Sequence, residues 1–150
     1  MADELRELVK SSADGSMRQA IQANNGGRSA LRVLVVDDEP AIRLLCRVNL
    51  QAEGFAVKEA SDGAAAISMA REWHPELILL DVMMPGEDGF AVAERIRDDP
   101  QLAGVRVIFL TARADIGDNE RARGTGAVGH VTKPFNPSSL GDEVRAALAR

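Results

Sequence analysis

Residues 77–85, with the sequence LILLDVMMP, decide the fold that we predict for this chain. Four consecutive branched aliphatic residues are typical of a short strand buried on both faces, as in a parallel sheet that is covered by helices. The strand ends in a carboxylate, Asp81, and a Met-Met-Pro-Gly turn then interrupts it. Open α/β sheets bind their ligands at the carboxyl ends of their strands, so Asp81 is the first candidate functional residue.

On both sides of this stretch, the chain alternates between predicted strands and predicted helices. The five predicted strands cover residues 31–36, 55–60, 77–81, 105–110 and 127–131. Of the five predicted helices, the first starts near Pro40, the second includes residues 66–73, and the third starts at Asp88. The fourth lies between about residues 115 and 124, and the fifth starts near Pro137. Short strands alternating with helices predict an α/β fold, a doubly wound parallel sheet with helices on both faces and right-handed crossovers.

The composition indicates one soluble globular domain. The chain has 150 residues, of which 45% are hydrophobic and 27% are charged, and its formal net charge is −5. The acidic balance argues against a nucleic-acid-binding surface, and no apolar run approaches the ~20 residues of a membrane span. The first residues lack the order of a secretory signal, so we expect a cytoplasmic protein without membrane contact. The single cysteine, Cys46, excludes an intrachain disulfide and a cysteine-cluster metal site.

Residues 1–30 differ from the regular pattern that follows them. Two short apolar patterns are separated by Asp14-Gly15-Ser16, and residues 24–27 read as a loop or linker. Isolated helices of this length are marginal in water. We therefore expect an N-terminal extension over residues 1–30, flexible or made of short helices, and one domain over residues 31–150. The alternative is a helix that pairs with a partner or with a second copy.

Polar side chains stand at the ends of four of the five predicted strands. They are Asp37 and Asp38 after the first strand, Asp81 at the third, Thr111 after the fourth and Lys133 after the fifth. The carboxyl ends of parallel strands point the same way, so we expect these side chains to converge on one rim. The second strand lacks such a residue, which suggests that it lies at the sheet edge. The alternative is a set of unrelated loop and cap residues, which the chemical match among the five disfavours.

The convergent residues have the chemistry of phosphoryl transfer. Three carboxylates held close together repel one another unless a cation lies among them. An all-oxygen ligand set without His or Cys favours Mg²⁺. An aspartate can accept a phosphoryl group, while a metal ion, a lysine and a threonine hydroxyl stabilise the phosphoryl oxygens. The sequence therefore predicts an Mg²⁺-dependent phosphoryl-transfer site.

These residues resemble the receiver domain of response regulators in bacterial two-component signalling systems. The resemblance covers about residues 31–150, and its motifs are Val35–Glu39, Leu80–Gly86 with Gly89, Thr111-Ala112, and Lys133-Pro134-Phe135. It implies a flavodoxin-like sheet with the strand order 2-1-3-4-5 and a site between strands one and three. It also suggests a stand-alone receiver that is similar to the chemotaxis regulators.

The resemblance assigns the acidic residues to phosphorylation and to the metal. It implies that Asp81 is the phosphoacceptor. It implies that Asp38 and Asp81 bind Mg²⁺ directly, together with the backbone carbonyl of Met83. Asp37 is then expected to act mainly through a bound water.

The resemblance also assigns the residues opposite the acidic cluster. Lys133 is expected to pair with the phosphoryl oxygens, with a cis peptide bond before Pro134. Thr111 is expected to hydrogen-bond the phosphoryl group and to move toward it on activation, and the backbone N–H of Ala112 gives a further donor. His130 occupies the position where many family members carry the aromatic partner of the switch threonine. An imidazole there can titrate near neutrality, and the alternative is a histidine that simply faces solvent.

Two functions remain open from the sequence. The favoured one is a phosphorylation-activated signalling switch, not an enzyme beyond its own phosphorylation and dephosphorylation. Its phosphoryl group comes from a phosphohistidine on a sensor histidine kinase or a histidine phosphotransfer protein. It acts through protein contacts of the Asp115–Arg150 face, without direct nucleic-acid binding, as a monomer or a phosphorylation-dependent dimer. The alternative is an Mg²⁺-dependent phosphohydrolase with Asp81 as nucleophile, which the short loops disfavour because they offer no lid.

Overall fold

The computed structural model describes residues 30–113, 116 and 119–150. Within these residues the strands are β1 (Arg32–Val36), β2 (Ala56–Ala60), β3 (Leu77–Asp81), β4 (Arg106–Thr111) and β5 (Gly129–Thr132). The helices are α1 (Pro40–Ala52), α2 (Gly63–Trp73), α3 (Gly89–Asp98), α4 (Glu120–Gly124) and α5 (Leu140–Leu148). Short 3-10 turns cover Pro100–Leu102 and Pro137–Ser139. The extension predicted for residues 1–30 falls, apart from residue 30, outside the described residues.

In the described part of the chain, the strands form one parallel sheet in the order β2-β1-β3-β4-β5. This order confirms the predicted α/β class and the flavodoxin-like topology. β3 lies at the centre of the sheet and all of its residues are buried, as its aliphatic run predicted. β2 lies at an edge, which agrees with the lack of a functional polar residue at its end.

The sheet separates two hydrophobic cores. Successive side chains of a strand point to opposite faces, so each strand contributes to both cores. On one face, residues such as Val33 and Leu77 pack against α1 and α5. On the other face, residues such as Leu34 and Ile78 pack against α2, α3 and Ala122 of α4. The molecule therefore has three layers, with helices on both faces of the sheet as predicted.

The first three helices begin close to the carboxyl edge of the sheet, where the polar residues lie. Pro40 occupies the first turn of α1, where a missing backbone N–H breaks no helical hydrogen bond. The Asp88 side chain accepts a hydrogen bond from the backbone N–H of Phe90 at 2.9 Å and caps α3. The Asp62 side chain caps α2 by accepting one from Ala65 at 2.8 Å. These caps hold the helix starts firmly at the carboxyl edge of the sheet.

The prediction for the start of the fifth strand is wrong by two residues. The Thr125 hydroxyl donates to the carbonyl of Ala122 at 2.6 Å and accepts from the N–H of Ala127 at 3.2 Å. Gly126 has a φ of +87°, a conformation that favours glycine. This turn keeps Ala127 out of the ladder, so β5 begins at Gly129.

The last two helices also differ from their predicted ranges. α4 is described over five residues, whereas the predicted helix began near residue 115, which lies outside the described residues. α5 begins at Leu140 because the residues after Pro137 form a 3-10 turn, which the Asn136 side chain caps by accepting from Ser138 at 3.1 Å. None of the described helices combines the length and apolar composition needed to cross a membrane.

Candidate functional site

Three aspartates meet at the carboxyl edge of the sheet. β1 and β3 are neighbours with Val36 beside Leu80, so the residue after β1, Asp37, lies beside the last residue of β3, Asp81. Oxygen atoms of Asp37, Asp38 and Asp81 all lie within 4.8 Å of one another. Asp37 and Asp81 are buried, whereas Asp38 is exposed. The acidic cluster therefore has a buried floor and one carboxylate open to solvent.

Local turns orient the two buried carboxylates. Oδ1 of Asp37 accepts a hydrogen bond from the backbone N–H of Glu39 at 2.9 Å. Oδ1 of Asp81 accepts one from the backbone N–H of Met83, also at 2.9 Å. In both residues the second oxygen, Oδ2, is left to face the lysine at the end of β5. The loop after each strand thus fixes the direction of its own carboxylate.

Lys133 supplies a positive charge opposite the carboxylates. Its Nζ lies 2.9 Å from Oδ2 of Asp37 and 3.6 Å from Oδ2 of Asp81, and also 3.6 Å from Oε1 of Glu39. The backbone N–H of Lys133 donates to the carbonyl of Thr111 at 2.7 Å, which holds the residue beside the end of β4. The peptide bond between Lys133 and Pro134 is cis, as the resemblance implied.

Burial and charge shift the pKa values of the central pair. Burial raises the pKa of the Asp81 carboxyl to about 6; the nearby Asp37 charge and a hydrogen bond with Asp38 add to this, while the Met83 N–H and Lys133 oppose it. Burial alone would lower the pKa of Lys133, but its ion pair with Asp37 and the charges of Asp81 and Glu39 outweigh burial and raise it. Lys133 is therefore charged at neutral pH, and Asp81 carries a charge at an energetic cost.

The acidic cluster fits a divalent cation. Oδ2 of Asp37 is buried and receives no well-aligned hydrogen bond from the described residues, although the Lys133 ammonium lies beside it. One lysine leaves the charge of three carboxylates incompletely balanced. Carboxylate oxygens in a set of this kind are the ligands that Mg²⁺ takes in proteins. Asp37, Asp38 and Asp81 are the residues that would hold the ion.

The remaining predicted site residues lie near the cluster or to one side of it. Thr111, the buried last residue of β4, follows the residue that pairs with Asp81, and its Oγ1 accepts from the N–H of Arg113 at 3.0 Å. Ala112 is exposed at the same edge. His130 is exposed two residues before the end of β5 and lines a cavity between β4, β5 and α4. The structure thus brings the three aspartates and Lys133 together, places Thr111 and Ala112 beside them, and leaves His130 on an outer surface.

Two residues with contacts to this site received no role from the sequence. Glu39 approaches Lys133, and its only sequence signal was its place next to the two aspartates. Arg43 donates from Nη1 to the backbone carbonyl of Asp37 at 2.6 Å. An arginine on an amphipathic helix is usually solvated, so no pattern in the sequence connected Arg43 with the acidic loop.

Gly89 at the start of α3 is expected to be intolerant of a side chain. A Cβ at this residue would lie 2.6 Å from Cα of Val82 and 2.9 Å from the backbone oxygen of Asp81. Backbone atoms at these distances cannot rotate away, so Gly89→Ala should displace the loop after Asp81 and destabilise the fold by about 1–3 kcal/mol. The urea midpoint of unfolding measures the change.

Gly141→Ala in α5 is the matched control for this substitution. The atoms that its Cβ would meet belong to the carboxylate of Glu53, at the end of a flexible side chain that can move. Alanine is also the better residue inside a helix by about 1 kcal/mol. Equal losses of stability in Gly89→Ala and Gly141→Ala would contradict the assigned role of the Gly89 contact.

The sequence matches one known protein family over most of its length. The model of the response regulator receiver domain matches residues 33–145. The chain belongs to this receiver family. The receiver domain is 40% identical over 119 residues to the DNA-binding dual master transcriptional regulator RpaA of Synechocystis sp., a match that covers 79% of this chain and 49% of RpaA. It is also 40% identical over 119 residues to the DNA-binding response regulator MtrA of Mycolicibacterium smegmatis, covering 51% of that protein.

Solved structures agree with this assignment. The chemotaxis response regulator CheY4 of Vibrio cholerae superposes with a TM-score of 0.74 at 30% identity, over 79% of this chain and 98% of CheY4. The BeF3-activated DrrB receiver domain superposes with a TM-score of 0.68 at 30% identity, over 81% of this chain and 99% of that chain. The chain spans about half the length of the curated relatives it matches and nearly all of these receiver structures.

Proposed function

We propose that this receiver domain is a phosphorylation-activated switch that accepts a phosphoryl group on Asp81. The observation that carries the proposal is the buried Asp81 carboxylate, 3.6 Å from Nζ of Lys133 and within 4.8 Å of two further aspartates. A carboxylate held between a cation-binding cluster and a lysine suits the transfer of a negatively charged group. This arrangement would be costly if it only supported the fold, because the pKa of Asp81 is raised.

The proposed reaction moves a phosphoryl group from nitrogen to oxygen. A side-chain oxygen of ionised Asp81 attacks phosphorus, the bond between phosphorus and the histidine nitrogen of the donor breaks, and the imidazole leaves with the electron pair and takes up a proton. Lys133 neutralises phosphoryl oxygens, and Thr111 and the N–H of Ala112 donate hydrogen bonds to them. Mg²⁺ held by Asp37, Asp38 and Asp81, with the Met83 carbonyl, would supply the remaining positive charge.

The proposed partners are proteins on both sides of the reaction. A sensor histidine kinase or a histidine phosphotransfer protein donates the phosphoryl group, in the cytoplasm. The response passes from Thr111 through His130 to the face formed by residues 115–150, which contacts a downstream protein. Phosphorylation can shift the equilibrium between the inactive and the active conformation of the receiver only by the difference in the interaction of the phosphoryl group with the two conformations.

The proposal also covers the mode of signalling and the division of the chain into domains. RpaA and MtrA are named as DNA-binding regulators, and for the residues of the present chain we propose signalling through protein contact. We also keep the division into an extension over residues 1–30 and a receiver over residues 31–150. The phosphohydrolase alternative is not proposed, because the family is a signalling family and the only catalysis we assign is phosphorylation and dephosphorylation of Asp81.

Removal of Mg²⁺ is expected to stop the phosphorylation reaction. Incubation with phosphoramidate or acetyl phosphate and Mg²⁺ should add one phosphoryl group per chain, as measured by intact mass. An excess of chelator during the incubation should prevent this labelling, because the carboxylates and the incoming phosphoryl oxygens then repel one another. Restoring Mg²⁺ should restore labelling. A labelling rate that is the same with chelator would remove the metal ion from the proposed mechanism.

A further inference from the structure

Arg43 joins the acidic loop to the edge of the sheet. This residue lies in α1, and its side chain is only 17% exposed. Nη1 donates to the backbone carbonyl of Asp37 at 2.6 Å. Nε of the same guanidinium donates to Oε1 of Glu59, on the neighbouring strand β2, at 3.1 Å. One guanidinium therefore bridges the end of β1 and a fixed carboxylate on β2.

The carbonyl that Arg43 contacts belongs to the peptide unit between Asp37 and Asp38. A peptide unit is planar, so holding its oxygen restricts rotation of the whole unit about the line that joins the two Cα atoms. The N–H of Asp37 donates to the carbonyl of Ala60 at 3.2 Å, which secures the other side of Asp37. The contact from Arg43 thus controls the direction in which Asp38, the exposed member of the acidic cluster, leaves the backbone.

Glu59 also binds a second arginine that provides a natural comparison. Nε of Arg47, one turn further along α1, lies 2.5 Å from Oε2 of Glu59. Arg47 therefore helps to attach α1 to β2 and carries the same charge as Arg43. Among the described residues, the hydrogen bond from an arginine to the Asp37 carbonyl is made by Arg43 alone.

We propose that Arg43, held by Glu59, is a positioning residue for the divalent-cation site formed by Asp37, Asp38 and Asp81. This inference rests on the proposed function, since it deepens the account of the same site. Arg43 acts through the peptide unit before Asp38 and contacts neither the cation nor the phosphoryl group.

The charge of Arg43 alone predicts the opposite effect on cation binding. Removing a positive charge near three carboxylates should favour a divalent cation, because a like charge is lost. Loss of positioning should disfavour the cation, because Asp38 is then free to turn away. Residues that orient metal ligands typically change the affinity by about 10- to 100-fold when they are replaced. The sign of the effect therefore separates positioning from simple electrostatics.

The test measures Mg²⁺ binding by calorimetric titration on the full chain, without any phosphodonor. Arg43→Met should weaken Mg²⁺ binding about tenfold, whereas Arg47→Met should leave the dissociation constant within about twofold, as expected for a surface ion pair. Arg43→Lys should stay close to Arg43→Met, since an ammonium cannot reproduce the two-armed contact of the guanidinium. The Arg43→Lys variant keeps the positive charge, and it provides the same test of positioning if Arg43→Met does not fold.

Labelling with acetyl phosphate gives a second readout for the same variants. Arg43→Met should need more Mg²⁺ for half-maximal labelling but reach the wild-type plateau at saturating Mg²⁺. The positioning role is overturned if Arg43→Met or Arg43→Lys binds Mg²⁺ as tightly as the wild type or more tightly. It is also overturned if Arg47→Met weakens Mg²⁺ binding as much as Arg43→Met does. Either result leaves the proposed function intact. A wild-type chain that binds no Mg²⁺ would instead remove the metal from the proposed function, and this inference with it.

Discussion

Asp81→Asn is expected to abolish phosphorylation of the chain by acetyl phosphate or phosphoramidate. An amide is not a nucleophile toward phosphorus under these conditions, and no acyl phosphate can form on it. Asparagine has nearly the same size and can still accept the hydrogen bond that Met83 donates to Oδ1 at 2.9 Å. The loss should therefore come from chemistry and not from a change of fold. Intact mass after incubation with donor and Mg²⁺ measures the outcome.

Asp142→Asn provides the control for this experiment. Asp142 is a carboxylate on α5 whose side chain is 78% exposed, and it pairs with Arg145 on the surface. This variant should be labelled like the wild-type chain. If the Asp81→Asn variant still takes up one phosphoryl group at a single site, another residue is the acceptor and the assignment of Asp81 is wrong.

Asp81→Asn is also expected to stabilise the receiver domain at neutral pH when no divalent cation is present. The folded protein raises the pKa of Asp81 from 3.8 to about 6. A carboxyl whose pKa is raised by folding contributes most to stability below its unfolded pKa, and this contribution is lost as the pH rises through about 6. Each pKa unit corresponds to about 1.4 kcal/mol, so ionised Asp81 costs about 3 kcal/mol at pH 7.5. The neutral amide of the Asp81→Asn variant avoids this cost.

Urea unfolding in the presence of chelator measures this effect at two pH values. Asp81→Asn should be more stable than the wild type by about 3 kcal/mol at pH 7.5, and the gain should fall to about 1 kcal/mol at pH 4.5. Added Mg²⁺ should narrow the gap at pH 7.5 by stabilising the wild-type cluster. The raised pKa has no support if the variant is less stable than the wild type at pH 7.5, or if the gain grows as the pH falls.

Together, these two expectations describe a site in which the charge that the proposed reaction needs lowers the stability of the fold. The buried carboxylates of Asp37 and Asp81 repel each other, and Lys133 compensates them in part. A cation or a well-packed neutral residue would relieve this repulsion. Functional sites commonly violate the rules that stabilise the rest of a fold, and this edge of the sheet has that character.

The sequence predicted the position of the main site residues because topology leaves them little freedom. Strands that are parallel and buried on both faces present their carboxyl ends at one edge, so Asp37, Asp81 and Lys133 were expected at the same edge of the sheet. The strand order itself was implied by the family resemblance and not by the hydrophobic pattern. The start of β5 was mispredicted because Ala127 belongs to an apolar run, whereas the turn held by the hydrogen bond from its N–H to the Thr125 hydroxyl keeps it out of the strand.

What the sequence by itself determined is the layered α/β architecture, with an acidic residue, Asp81, at the end of its central strand. Periodicity and strand-end chemistry are local properties, and they survive any small change in packing. Only the tertiary structure decided which oxygen of Asp37 faces Lys133, that Arg43 reaches the peptide before Asp38, and that His130 lies exposed on an outer surface. These contacts depend on how α1 and β5 pack against their neighbours, which residue spacing along the chain does not specify.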